Sequence, residues 1–256
     1  MDTLLSKLTD LAYEFFGVVL PGIIFGIFIT VLWVSIAPML TFLTLGHMPD
    51  LTFRRIGLIE EAFSATRRVE VAILLLIAIY FLGQSLNWVS RGRSGDESRP
   101  WWRRLVQVRL ARPKEAFAVE LKSLFDAVAE KIAPQSTTLD WSCFYPVAKS
   151  LIAQKLTYSL VQTYQHKYTL HRCISAAGVV MSRACGFSIV VGLVMTVIGH
   201  GPDWWLLLLL TAVSLAVARA FEKSYSYFWQ LWGSTVVTEA YGLLCVTGIA
   251  EKSETK

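Results

Sequence analysis

Residues 15–45 read FFGVVLPGIIFGIFITVLWVSIAPMLTFLTL without one charged side chain. A helix needs about 20 apolar residues to cross the hydrocarbon of a bilayer. This stretch has length to spare, so it is expected to tilt, bend or project beyond the bilayer. Pro21 and Pro38 are the expected points of bending, because proline removes a helical hydrogen bond. Gly22 and Gly26 form a GxxxG spacing that lets helices approach closely. The preceding segment, MDTLLSKLTDLAYE, has one lysine against Asp2, Asp10 and Glu14. The apolar run also far exceeds the roughly 7–15 residues of a signal-sequence core, so a retained span is expected.

Three more runs share this character. They lie at about 69–89 (core VAILLLIAIYFLG), 176–198 (AAGVVMSRACGFSIVVGLVMTVI) and 204–220 (WWLLLLLTAVSLAVARA). The last two are joined only by Gly199, His200, Gly201, Pro202 and Asp203, which predicts an antiparallel hairpin. Composition agrees with a membrane chain. Charged residues make up 17% and mean hydropathy is +0.50, whereas soluble domains carry about 25% charge. The expected class is all-α, an integral membrane four-helix bundle with a helical cytoplasmic region. Its parts are 1–90 (spans one and two), 91–172 (basic, amphipathic-helical), 173–220 (the hairpin of spans three and four) and 221–256 (a C-terminal helix and tail).

Charge sets the expected orientation. The stretch 91–172 holds fourteen Lys or Arg against seven Asp or Glu, and the 199–203 turn holds no basic residue. Cytoplasmic connections carry the Lys/Arg excess. The long connection and both termini are therefore expected inside the cell. Arg54, Arg55, Arg67 and Arg68 in the first outer loop oppose this bias, and Glu60, Glu61 and Glu70 are available to offset them. Trp204 and Trp205 suit the outer interface, and Trp88, Trp101 and Trp102 the inner one.

The net charge of +5 is read as topogenic, which makes nucleic acid an unlikely partner. Arg103, Arg104, Arg109 and Arg112 are candidates for contact with lipid headgroups, each worth about 1 kcal/mol near an anionic surface. Residues 115–132 predict an amphipathic helix through Phe117, Leu121, Leu124, Phe125 and Val128. A second helix is expected from near Trp141, running unbroken into span three as one rod. Tyr225, Phe228, Trp232, Val236, Ala240 and Leu243 give the C-terminal segment one apolar face, expected to pack on residues 115–170. A fifth span over 225–249 is the alternative, disfavoured by Gln230 and Glu239. Residues 91–172 and 221–248 are candidate surfaces for a cytoplasmic protein partner.

Outside their end regions the spans hold no Asp, Glu, Lys or His, which argues against a proton- or ion-coupled pump. Arg183 is the exception. With Gln84 and Asn87 on span two, and Arg219 and Glu222 at the inner end of span four, it is expected to form an inner-leaflet polar cluster or pore mouth. Snorkelling of Arg183 to headgroups, or its pairing with Glu222, is the plainer reading. Gly22, Gly26 and Gly186 are the expected helix-packing positions.

No cofactor or metal is implied. His166, His171 and Cys173 lack ligand spacing, and Cys143, Cys173, Cys185 and Cys245 read as isolated thiols rather than a disulfide framework. No GxSxG, Walker loop, HExxH or dinucleotide fingerprint occurs. The leading expectation is a homo-oligomer serving as pore, sensor or anchor. A small transporter or lipid-handling protein is one alternative. A membrane enzyme around Arg103, Arg104, Tyr158, His166 and His171 is another. Four spans, a basic cytoplasmic part and no catalytic signature are similar to small bacterial inner-membrane proteins that accompany anti-phage defence operons. The similarity carries over no residue, and implies a pore or sensor in stress or antiviral defence.

Overall fold

The computed structural model describes residues 11, 14–45, 68–90, 108, 116–132, 140–156 and 159–246. Among these, 92% are helical and none lies in a strand. The α-helices are α1 (Leu20–Leu45), α2 (Arg68–Ser90), α3 (Lys122–Ile132), α4 (Trp141–Lys155), α5 (Leu160–Val197) and α6 (Trp204–Tyr241). Four segments are long and apolar enough to cross a membrane: Phe15–Met39, Val69–Ser90, Leu160–Val197 and Trp204–Cys245. The chain divides into two compact units. One, here the bundle unit, comprises Ala12–Leu110 and Leu170–Glu222. The other, the aromatic unit, comprises Met1–Leu11, Ala111–Thr169 and Lys223–Lys256.

In the bundle unit, α1 is entered through a π-helical turn, Phe15–Val19. Pro21 lacks an N–H and its ring would crowd the carbonyl four residues back. The wider turn, in which the Leu20 N–H reaches the Phe15 carbonyl, relieves that crowding. Helices α1 and α2 then pack antiparallel at very short range. Gly22 rests on the Ile79 carbonyl and Gly83 on the Val18 carbonyl, so that a Cβ at either glycine would collide with backbone.

The turn between α5 and α6 is closed by a recognisable motif. Gly199, at φ +89°, donates to the Thr196 carbonyl, and His200 donates to the Met195 carbonyl. This is a Schellman ending, which needs the left-handed conformation that glycine adopts at low cost. Asp203 then caps α6, its Oδ1 accepting from the Leu206 N–H at 3.2 Å. The Asp203 N–H donates to the Ser35 carbonyl at 3.0 Å, tying the turn to α1.

Small residues set the spacing of α5 and α6. Ser175 Oγ donates to the Ala218 carbonyl at 2.9 Å, and a Cβ on Gly178 would meet the backbone of Ser214 and Ala218. Phe28 of α1 joins Met181, Cys185, Leu207 and Leu210 in the buried core. Leu86 of α2 packs with Cys173 and Ala177. Much of the outward surface is apolar. Along α2, Ile73, Leu74, Leu76, Ile77 and Phe81 are exposed, and along α5 so are Phe187, Val190, Leu193, Val194 and Val197.

The aromatic unit has its own core. Val128, Phe144, Ala148, Ile152, Val161, Trp232, Val236, Val237 and Ala240 are buried together. Phe117, Phe125, Trp141, Tyr145, Tyr168 and Trp229 pack around them. The rings are in direct contact, with Tyr145 and Trp232 centroids 4.6 Å apart and Phe117 stacked on Phe125 at 4.9 Å.

Two expectations about this unit differ from the structure. Residues 116–118 are not helical, and helix begins with a 3-10 turn, Val119–Leu121. The incoming strand of chain instead lies over Gly233, where a Cβ would strike the Ala116 carbonyl, and the Ala118 N–H donates to Ser234 Oγ. Helices α4 and α5 also do not form one rod. Leu156 is extended, with φ −112° and ψ 119°, and α5 starts afresh at Leu160 with a cap of its own. Conversely, α6 runs unbroken past residue 220 to Tyr241.

Candidate functional site

The bundle unit gathers several buried polar groups near one end. Arg172, on α5, is 6% exposed, and its guanidinium carries five N–H donors that need acceptors. It is held by Asn87 of α2, whose Oδ1 accepts from Arg172 Nη2 at 2.7 Å. Ser90 Oγ donates to the Asn87 carbonyl at 3.0 Å and lies 4.0 Å from Cys173 Sγ. Asn87, Ser90, Cys173 and Ser175 are all buried. A buried charge of this kind is costly unless its donors find acceptors.

Val18 meets Gly83 and Gly22 meets Ile79, which fixes the register of the first two helices. On the first of them, Oε2 of Glu14 is buried and accepts no hydrogen bond. The cluster around Arg172 thus holds a cation and a neutral acceptor.

The residues singled out from sequence fall at several places. Asn87 is central to the buried cluster. Gln84 is partly buried one turn away, its Nε2 donating to Tyr80 Oη at 2.9 Å. Arg219 is exposed and Glu222 partly buried on α6. Arg183 is exposed on α5. Ser175 pairs in level with Ala218, so Arg183 lies about 12 Å further along the helix axis at roughly 1.5 Å per residue. The structure therefore does not gather Gln84, Asn87, Arg183, Arg219 and Glu222 at one level. Arg103, Arg104, Arg109 and Arg112 lie outside the described residues. Of the three packing glycines, Gly22 makes the close contact, Gly26 has Leu82 Cδ1 at 3.8 Å from its Cβ position, and Gly186 faces open space. Among the described residues, no three His, Cys, Asp or Glu side chains are placed to hold a metal ion.

Sequence reasoning missed Arg172, Ser90 and Glu14. In the sequence Arg172 is the last charge of the basic connection, and Glu14 belongs to the segment leading into the first apolar run. The available signal was depth: in antiparallel spans two and three, Asn87 and Arg172 both stand at the end next to that basic connection.

Comparison of the chain with protein-family models, with curated proteins and with solved structures gives no match in any of the three.

Proposed function

We propose that this chain is a multi-pass membrane protein that assembles with copies of itself and conducts ions along a path between protomers. The observation that carries this reading is the position of Arg183, exposed on a helix whose neighbouring outward residues Phe187, Val190 and Val194 are also exposed. A charge on the outward side of an apolar span is costly in hydrocarbon, and this reading sets it beside the surface of a neighbouring copy. The core of the bundle unit is filled by Phe28, Met181, Cys185, Leu207 and Leu210, which supports a lumen between chains rather than within one. A symmetric ring is the ordinary way for a short chain to line such a path.

In this proposal both termini and the basic connection face the cytoplasm, and the membrane is the bacterial inner membrane. The aromatic unit is the cytoplasmic element that senses a signal or holds a partner. An arginine-lined path favours anions, and its opening under stress or phage attack would dissipate ion gradients. The test is reconstitution of the full chain into liposomes. Anion-selective current carried by an oligomer, lost or altered in selectivity in Arg183→Ala with assembly intact, supports the reading. Unchanged current and selectivity in that variant contradict it and leave Arg183 as a snorkelling side chain.

A further inference from the structure

We infer that Lys167, held over the rings of Tyr164 and Phe228, binds the phosphate of an anionic phospholipid, with Tyr227 lying in the headgroup layer beside it. Lys167 Nζ is 5.5 Å from the centroid of the Tyr164 ring and 5.8 Å from that of the Phe228 ring. Tyr164 and Lys167 belong to α5 and Phe228 to α6. The Tyr227 ring meets the Phe228 ring edge-on at 5.3 Å. All four residues lie in the aromatic unit.

Three observations carry this. The first is depth. Helix α6 begins at Trp204 and runs to Tyr241. Counted from Trp204, about 30 Å of hydrocarbon takes about 20 residues of helix and ends near Ser224. The headgroup layer adds about 5–8 Å, which is the next turn of α6 and carries Tyr227 and Phe228. The Tyr168 and Tyr225 rings lie 6.3 Å apart, which brings Lys167, the residue before Tyr168, to that level. The second is arrangement. Lys167 is exposed, yet its ammonium stands over two rings, so the cation is positioned before a ligand arrives. A lysine ammonium is a compact charge suited to a phosphate oxygen. The third is the surface around it. Tyr227 is 61% exposed, an amphipathic ring of the kind that collects at membrane interfaces. Exposed Lys223 stands one turn before it. Glu222, the carboxylate of this stretch, is about 120° around α6 from Phe228, at roughly 100° per residue. The exposed aromatic ring favours a lipid over a soluble phosphate, because it offers apolar surface to the glycerol and acyl part. This inference rests on the membrane placement in the reading above and not on conduction.

Native mass spectrometry of the full chain in detergent, titrated with phosphatidylglycerol or phosphatidylcholine, tests it. Phosphatidylglycerol should bind first and more tightly. Lys167→Gln should weaken that first phosphatidylglycerol by about fivefold, and Lys167→Arg should retain it. Tyr164→Leu leaves the charge in place and should weaken it by about two- to threefold. Lys155→Gln removes an exposed lysine elsewhere in the same unit and should change nothing. Equal losses from Lys155→Gln and Lys167→Gln overturn the site, because net charge alone then explains the binding. So does equal affinity of the unaltered chain for the two lipids. Displacement of phosphatidylglycerol by millimolar inorganic phosphate also overturns it, since the cation would then serve a soluble anion. The Lys167→Gln chain should still be retained in carbonate-washed membranes. Release of the unaltered chain by that wash refutes the membrane placement itself, whereas equal lipid affinities in a retained chain refute only this site.

Discussion

Glu239 and Ser159 stand 80 residues apart in sequence and are joined by a 2.6 Å hydrogen bond from the serine hydroxyl to the carboxylate. The other carboxylate oxygen accepts from the Leu160 N–H at 2.9 Å, and Ser159 Oγ accepts from the Val161 N–H at 3.1 Å. A side chain of α6 thereby satisfies the first N–H groups of α5. A carboxylate there also complements the positive end of the helix dipole. Glu239→Ala should destabilise the protein by about 1–2 kcal/mol and Ser159→Ala by about 1 kcal/mol. Because they serve one cap, the double variant should lose less than the sum. Thermal unfolding followed by circular dichroism in detergent checks this, and full additivity would deny the shared cap.

Glycine substitutions separate contacts within the chain from open positions. Gly22→Ala and Gly83→Ala push a methyl group into the facing backbone, and should cost about 1–3 kcal/mol each. Gly186→Ala meets nothing within 4 Å and should leave the unfolding temperature of the separated chain unchanged or slightly raised, since alanine favours a helix interior by up to about 1 kcal/mol. If Gly186→Ala weakens oligomers in native mass spectrometry while the chain stays folded, that open face is where copies meet.

Trp232 is 2% exposed and touches the rings of Trp141, Tyr145, Tyr168 and Trp229. Trp232→Ala should cost about 3–5 kcal/mol, the usual loss for a large aromatic in a core. Hydrogen exchange should rise across α3, α4 and the segment of α6 that carries Trp232. Protection unchanged in α3 and α4 would mean that the rings do not form one cooperative core.

Asp140 gives a pH dependence of known sign. Its carboxylate accepts from Ser142 Oγ at 2.7 Å and from the Trp141 N–H at 2.8 Å. These bonds hold its carboxyl below the usual carboxylate range, the serine contributing most. The unfolded chain therefore takes up this proton first as pH falls. The cap is fully present above the ordinary aspartate value and is lost as pH drops through the folded-state value. Amide exchange at the first turn of α4 should rise over that range. Asp140→Ala should show the raised exchange at neutral pH and no further change on acidification.

Much of the fold was legible because long apolar helices announce themselves by uncharged runs. The 199–203 turn was equally plain, since Gly199 and Asp203 are ordinary stop and start signals for helices. The break before α5 also has a signal in the sequence. Ser159 followed by Gln162 has the S-x-x-Q spacing of a capping box, although the structure fills the carboxylate role from Glu239 instead. Glu239 itself stands out in the sequence only as a polar residue disfavouring a fifth span. The displaced start near residue 116 had no local signal, because the reason lies at Gly233 on a distant helix.

The candidate site was only partly legible. Asn87 stood out as a polar residue near the end of an apolar span, but its partner could not be read from spacing. Arg183 drew attention because it interrupts an uncharged run. Arg172 did not, because it sits at the edge of such a run, among residues that look like connection. The side chain buried in the structure is Arg172, and the one left exposed is Arg183. Periodicity finds helix faces, whereas choosing between two arginines needs the register of neighbouring helices.

Everything proposed for this chain depends on its four apolar helices lying in a bilayer. Washing membranes from expressing cells with alkaline carbonate tests this most directly, because the wash strips proteins held only by surface contacts. Retention of nearly all the protein in the membrane pellet, with release only by detergent, is the expected result. Recovery of most of it in the supernatant, monodisperse without detergent, would contradict it.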